Sequence, residues 1–489
     1  MMVKKIIPLI KLFFICIVIP LTICCKEKKI PVTPPDNSEN YRNLIILYTN
    51  DEHGWMEPTS THGGAAGMMG LWKEKESYSE DGPYLILSGG DMWTGPAIST
   101  WTKGEAMAQV MNAMNYSAAA IGNHEFDFKI KGLIERIEQS EFPFLSANIR
   151  SKATGEIPEF VTPYIIKEIN DIKIGIIGLT TTTTPLTTFP DNVIAYNFIE
   201  YAPALQEIVP QVKQEGAELL IIAGHICAPE IRELIPIASE LGISVIGGGH
   251  CHKVVNDSLK NIVIIDSGCF LKNYAKVELI FDIAGDTLVS KKQSIVENIG
   301  GTPDAEIESI VTYWQGQVNA TLSEVIGYVN NGIERHSNEM YNMVTDSWLY
   351  VYPAADISCT NAGGIRQSIP AGEITLGTMV GVMPFQNNII ELELTGNQIM
   401  DVTSNLIVGG MTRTDGYKLS DGTLLDPNQT YRVLTIDYLY ARTDNNFSSY
   451  DPDPYNTSIH YRQPVIDWIK SLNTSAANPL DQYLDDSPR

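Results

Sequence analysis

Short apolar runs, each bounded by polar or glycine-rich turns, recur along the first three hundred residues. Asn43-Leu-Ile-Ile-Leu-Tyr-Thr49 is continuous rather than alternating, the pattern of a strand covered on both faces. Similar runs predict strands over 84–87, 118–121, 144–147, 218–223, 244–246, 262–266 and 276–281. Between them, apolar residues at helical spacing predict helices over 65–77, 104–114, 129–139, 202–214 and 231–241. Runs at 164–167 and 173–178 flank Asn170-Asp171, a hairpin turn signal. Strands alternating with helices predict a layered α/β domain.

The pattern changes near Gly300-Gly301-Thr302-Pro303. A helix over 304–318, capped by Thr302, is expected there. Beyond it helices are expected over 339–350, 396–405 and 463–472, with strands over 389–394 and 430–436. The stretch after Asn473 is polar and is expected to be weakly ordered.

With 489 residues the chain is too long for one core. The expected layout is a signal peptide over 1–25, a tether over 26–42, one domain over 43–300, a linker helix over 301–322 and a second domain over 323–489. Lys4 and Lys5 precede an apolar run from Ile6 to Ile23, broken by Pro8, Lys11 and Pro20. Leu21-Thr22-Ile23-Cys24 resembles a relaxed bacterial lipobox. The protein is therefore expected to be exported, periplasmic or at the cell surface, with Cys24 or Cys25 carrying a lipid anchor and no other membrane association.

The net charge of −24 repels nucleic-acid backbones, so no polymeric nucleic acid is expected as partner. A small anionic substrate remains compatible, because cations and local arginines can invert the field inside one cleft. Of seven cysteines, Cys227, Cys251, Cys269 and Cys359 lie outside the export segment. They are expected to be free thiols, with a local Cys227–Cys251 pair as the alternative.

Candidate chemistry sits where the predicted strands end, the place where α/β folds collect polar ligands. Five signatures stand there: Asp51-Glu52-His53-Gly54, Gly89-Gly90-Asp91, Gly122-Asn123-His124-Glu125, Gly224-His225 and Gly249-His250-Cys251-His252. Five of the chain's eight histidines fall in these loops, which no single Asp-x-His would make significant. Carboxylate, imidazole and amide ligands together suit borderline divalent metals. Asp51 and His53, alternating on an extended segment, would face one ion; His252 would reach the same ion. Asp91 would bridge to a second ion held by Asn123, His225 and His250. Two divalent ions, zinc, manganese or cobalt, are the expected cofactor.

These blocks resemble the signatures of calcineurin-like metallophosphoesterases. The longer string Gly122-Asn123-His124-Glu125-Phe126-Asp127-Phe128 resembles the secreted 5′-nucleotidase/UDP-sugar hydrolase family. The resemblance implies a four-layer α/β/β/α domain with a dimetal centre, plus a smaller α/β substrate-binding domain. It implies that His124 faces the transferring phosphoryl group rather than a metal, with Asp127 orienting it. In the second half, Asn361-Ala-Gly-Gly-Ile-Arg366, Arg335, Phe385 and Tyr438 resemble the family's substrate positions. By that likeness Arg335, Asn361 and Arg366 touch a nucleotide whose base stacks between Phe385 and Tyr438. Asp444 is kept from a family turn, but Arg442-Thr443 replaces its glycines and brings a charge near the presumed pocket.

The expected activity is phosphate release from nucleoside 5′-phosphates, with UDP-sugars as further substrates. The alternatives are a 2′,3′-cyclic nucleotide phosphodiesterase, a sulfur-ester hydrolase on the same scaffold, and a non-catalytic nucleotide-binding surface lipoprotein.

Overall fold

The computed structural model describes residues 40–414 and 416–489. The expected signal peptide, lipid-anchor cysteines and most of the tether lie outside the described residues. Tyr41–Arg489 forms one compact unit.

Two six-stranded sheets build its first half. One runs in the order Thr287–Glu297, Asn273–Asp282, Tyr41–Thr49, Tyr84–Ser88, Ala118–Ala120, Phe144–Leu145. The other runs Val254–Leu259, Ile262–Ser267, Ile243–Gly247, Leu219–His225, Ile172–Thr180, Tyr164–Ile169. Residues alternate between faces along each strand, and the sequence makes both faces apolar. Leu44, Ile46 and Tyr48 point inward to meet Ile174, Ile176, Leu219 and Ile221 of the facing sheet. Leu47 and Ile86 point outward onto Met68, Trp72 and Met107 of the helices Gly64–Lys75 and Glu105–Ala113. Leu220 and Ile222 do the same toward Leu205, Ile208, Ile231 and Leu234 of Tyr201–Gln214 and Ala228–Glu240. The result is helices, sheet, sheet, helices.

Tyr41–Thr49, Tyr84–Ser88 and Ala118–Ala120 are parallel, as are Ile172–Thr180, Leu219–His225 and Ile243–Gly247. Their carboxyl ends therefore share an edge in each sheet. The two edges are joined directly: the Tyr48 hydroxyl donates to the Gly248 carbonyl at 3.0 Å, reaching from one sheet to the other.

In the second half a five-stranded sheet, Ile407–Gly409, Ile357–Thr360, Thr430–Ile436, Asn388–Thr395, Tyr455–His460, packs against Asn338–Val351 and Gln463–Ser471. Ile357–Thr360 and Thr430–Ile436 are parallel, and Asn388–Thr395 is antiparallel to the latter with Ile389 opposite Ile436. The segments starting at Asn361 and Asp437, and the one ending at Asn388, thus emerge at one end of the sheet.

The helix Ala305–Leu322 begins on Asp304, not Thr302. The Asp304 carboxylate accepts from the Glu306 and Ile307 amides, while Lys73 holds its other oxygen at 2.6 Å. A carboxylate caps a helix start better than a hydroxyl two residues too early. Strands at Val254–Leu259 and Thr287–Glu297 were not expected, because their apolar residues are sparse and half exposed. Asn170 and Asp171 have φ of 52° and 62°, the tight hairpin geometry that their spacing predicted.

The tail after Asn473 is packed rather than loose. Leu480 is fully buried in the second core, and Asp481 accepts from the Asn330 and Asn331 amides. Arg489 is held between Asp346 and Asp485. One apolar anchor and several specific polar contacts do this work, and neither leaves a periodic trace. Leu480→Ala is expected to destabilise the protein by about 2–4 kcal/mol, read from denaturant unfolding; a weakly ordered tail would show no change.

Candidate metal centre and adjoining cleft

Five of the parallel strands deliver candidate ligands to the joined edge. Asp51 and His53 follow Tyr41–Thr49, Asp91 follows Tyr84–Ser88, Asn123 follows Ala118–Ala120, His225 ends its own strand, and His250 and His252 follow Ile243–Gly247. The structure brings all seven together. Asp51, His53 and His252 form one potential cation pocket; Asp91, His225 and His250 form another. Asp91 faces both, its Oδ2 lying 3.8 Å from His53 Nε2 and 3.1 Å from His225 Nε2.

The Asp51–His53 segment is not extended, contrary to the sequence expectation. Asp51, His53, Asp91, His250 and His252 all have positive φ, between 45° and 71°. Left-handed backbone is unfavourable for these residue types and persists only where surroundings impose it. The chain turns sharply at each ligand instead of presenting alternate side chains. At Gly122 a side chain is excluded, since a Cβ there would lie 2.2 Å from Asp91 Oδ1.

Hydrogen bonds fix which atoms face the pockets. His53 Nδ1 donates to the Thr94 carbonyl at 3.1 Å, and His225 Nδ1 to the Gly89 carbonyl at 2.9 Å. Both rings therefore turn Nε2 inward. Asn123 Nδ2 donates to the Thr187 carbonyl, which points its Oδ1 the same way. His53 Nε2 then lies 3.1 Å from His252 Nε2, and His225 Nε2 lies 3.1 Å from Asn123 Oδ1 and 3.2 Å from His250 Nδ1. Ring nitrogens and an amide oxygen converge at these distances, an arrangement that cations between them would stabilise. The donor set of imidazoles, carboxylates and one amide fits divalent transition metals.

His124 stands beside both pockets. Its Nδ1 is 2.7 Å from Asp127 Oδ2, and Asp127 Oδ1 accepts from the Thr188 hydroxyl. Burial alone would depress the His124 pKa, but the Asp127 and Asp91 carboxylates outweigh it and raise the pKa above the usual histidine value. From the second half, Arg366 reaches the centre: its Nη2 lies 3.2 Å from His53 Nε2.

A cleft of about 650 Å³ opens from the centre between the two halves. Arg335, Asn361, Arg366, Phe385 and Tyr438 all line it. Phe385 stacks on His124 at 5.6 Å between centroids, and the Tyr438 hydroxyl donates to the Leu186 carbonyl of the first half. Asn361 Oδ1 is buried without a partner. Asp444 does not line the cleft; it pairs with Arg442 through both oxygens. Arg442 does line it, with its guanidinium 5.6 Å from the Tyr438 ring centre.

Sequence reasoning gave no role to several buried residues that hold the ligands. Glu125 accepts from the backbone amides of Gly122, Asp91 and Met92 at 2.6–2.8 Å, tying two ligand loops together. Burial and the Asp91 charge push its pKa up to about 8. Asn50 Nδ2 donates to Asp51, to Asp266 and to the Gly268 carbonyl. The available signal was a carboxylate and an amide in the same polar loops as the candidate ligands, Glu125 two residues after Asn123 and Asn50 directly before Asp51. Phe270, whose ring lies 5.7 Å from His53 and 5.3 Å from His252, left no such signal.

Two neighbouring candidate cation pockets, with Asp91 facing both, lie where two facing sheets meet, an arrangement that fits a metallophosphoesterase. Residues 45–254 match the calcineurin-like phosphoesterase family and residues 318–420 match the 5′-nucleotidase C-terminal domain. The chain thus carries a calcineurin-like phosphoesterase domain followed by a 5′-nucleotidase C-terminal domain, and calcineurin-like phosphoesterases bind divalent metals. It is 26% identical over 453 residues to a snake venom 5′-nucleotidase of Crotalus adamanteus, covering 81% of this chain and 76% of that protein. It is 25% identical to the cell wall protein Lmo0130 of Listeria monocytogenes over 86% of this chain, but spans only 66% of that protein's length. The crystal structure of a 5′-nucleotidase precursor from Thermus thermophilus has the same fold, with a TM-score of 0.76 at 22% identity, covering 89% of this chain and 97% of that one.

Glu125→Gln would replace one accepting oxygen with an N–H that faces at least one of the three backbone donors. It is expected to weaken divalent-ion binding about 10-fold or more, measured by titration of metal-free protein. Unchanged affinity would mean that the loops hold their shape without it.

Proposed function

We propose that this chain is a dimetal-dependent phosphohydrolase that releases phosphate from nucleoside 5′-phosphates, with UDP-sugars as further substrates. The observation that carries the proposal is the joining of the two pockets, His124 and Arg366 to one cleft walled by aromatic residues. Asp51, His53, Asp91 and His252 hold one ion; Asp91, Asn123, His225 and His250 hold the other. Zinc, manganese or cobalt suits this donor set. Two such ions neutralise phosphoryl charge and acidify water for attack.

The protein's own groups do the rest. Arg366, half-buried in the cleft wall, adds a planar charged donor for the phosphoryl oxygens. Asp127 keeps a proton on His124 Nδ1 and favours the imidazolium. His124 can then donate from Nε2 to a phosphoryl oxygen or to the departing alkoxide. Arg335 and Asn361 supply donors along the cleft for the ribose. Phe385 and Tyr438 offer apolar faces for the base, where stacking contributes about 1–3 kcal/mol with little preference among bases. The Tyr438 hydroxyl is already engaged by Leu186 and Arg442, which leaves the ring as its recognition surface.

Export and anchoring at Cys24 or Cys25 are part of this reading, supported by the leader sequence and by a relative named for the cell wall. No helix among the described residues is long and apolar enough to cross a membrane.

A phosphate-release panel of AMP, UMP, UDP-glucose and cyclic AMP, with a sulfate ester alongside, tests the substrate class. Turnover of AMP or UMP is expected; turnover of the sulfate ester alone would replace the proposal. His124→Ala is expected to retain both ions while turnover falls about 10²–10⁴-fold; wild-type turnover would remove His124 from the mechanism. Asp91→Ala is expected to lose metal as well as activity, and elemental analysis finding two ions would refute the bridge.

A further inference from the structure

Two of the cysteines expected to be free are bonded to each other: Cys227 and Cys251 form a disulfide, with Cα atoms 5.4 Å apart. Its position is unusual. Cys227 stands two residues after His225, and Cys251 stands between His250 and His252. The bond therefore joins the two segments that supply three of the imidazoles, and these serve both cation pockets.

The two cysteines differ in how they are held. Cys227 is buried and caps the helix Ala228–Glu240, its amide donating to Glu230, which also accepts from the Tyr201 hydroxyl. Cys251 is exposed and lines the cleft. On either side of it, His250 and His252 have φ of 71° and 53°. Noncovalent contacts also reach this turn: His250 Nδ1 lies 3.2 Å from His225 Nε2, and the His252 ring packs on Phe270. Between the two segments the Gly249 amide donates to the Ile226 carbonyl at 3.1 Å, and the His250 amide donates to Asp51. Burial does not secure Cys251, so the bond to a helix-anchored partner is the covalent restraint on a turn otherwise held by hydrogen bonds and ring contacts.

We propose that the Cys227–Cys251 disulfide is a positioning clamp for the metal ligands His225, His250 and His252, so that breaking it loosens both ions without unfolding the protein. The inference rests on the metal assignments proposed above. It makes metal loading depend on an oxidising compartment, where such bonds persist. Because Cys251 faces the cleft, a small reductant can reach the bond. A phosphine opens it by delivering two electrons; water supplies two protons to the sulfurs and its oxygen to the phosphine.

The test compares the oxidised protein, the same protein reduced with a water-soluble phosphine and then desalted, and the Cys227→Ser/Cys251→Ser variant. Each is stripped of metal and titrated with Mn²⁺, with circular dichroism recorded alongside. The oxidised protein is expected to bind two ions. The other two are expected to keep the same spectrum and to bind each ion about 10–100-fold more weakly, the range for groups that orient ligands. Their phosphatase turnover is expected to recover at saturating Mn²⁺, which a general loss of structure would not allow.

Equal affinity in all three would overturn the clamp, as would alkylation of both cysteines as free thiols in the unreduced protein. Should the variant fail to fold, the reduced protein decides; unfolding there too would make the bond a global staple and also overturn the clamp. Oxidised protein that binds no Mn²⁺ would instead defeat the metal assignments themselves.

Discussion

Everything at the centre depends on gathering many metal-ligating groups in one buried place. Imidazole nitrogens, carboxylate oxygens and an amide oxygen approach one another to 3.1–3.8 Å. Taking so many polar groups out of water is costly, so the rest of the fold must hold them. It does so with buried, outward-facing hydrogen bonds: Thr94 and Gly89 carbonyls on two rings, Asn50 on Asp51, and Glu125 across two loops. The left-handed backbone at five of the ligands has the same meaning. Each such residue costs on the order of 1–3 kcal/mol, and two facing sheets with apolar residues on all four faces can sustain it.

The second half of the chain completes the site rather than decorating it. Its parallel strand pair and one antiparallel neighbour send three segments to a common end, and these meet the metal edge. Arg366 crosses to within 3.2 Å of His53, Phe385 covers His124, and Tyr438 hydrogen-bonds back to Leu186. A chain with net charge −24 thereby gathers positive groups at one opening. Local arginines, with the cations proposed for the two pockets, would reverse the field where an anionic ester enters.

Much of this was legible in the sequence, for a physical reason. Doubly covered parallel strands must be continuous apolar runs, and ligands in such folds must follow them, so the run-then-signature pattern marked all seven candidate metal ligands. The Lys129–Gln139 helix and the Thr430–Ile436 strand fell where periodicity put them. What escaped was three-dimensional. Whether Cys227 and Cys251 meet depends on how two loops cross, which spacing alone does not reveal. The local turns at Asp51 and His53 arise from the tertiary cage, whereas alternation assumes an extended chain. Glu125 and Asn50 act through backbone amides and neighbouring side chains rather than through a motif chemistry of their own. Asp444 kept its identity but not its place, because Arg442 claims it once the glycines of the turn are gone.

The central claim, that the strand-end loops jointly hold a pair of cations about a shared Asp91, is tested most directly by anomalous diffraction from crystals grown with Mn²⁺. The account predicts two anomalous peaks flanking the Asp91 carboxylate, one beside Asp51, His53 and His252 and the other beside Asn123, His225 and His250. A single peak, or peaks away from Asp91, would contradict it.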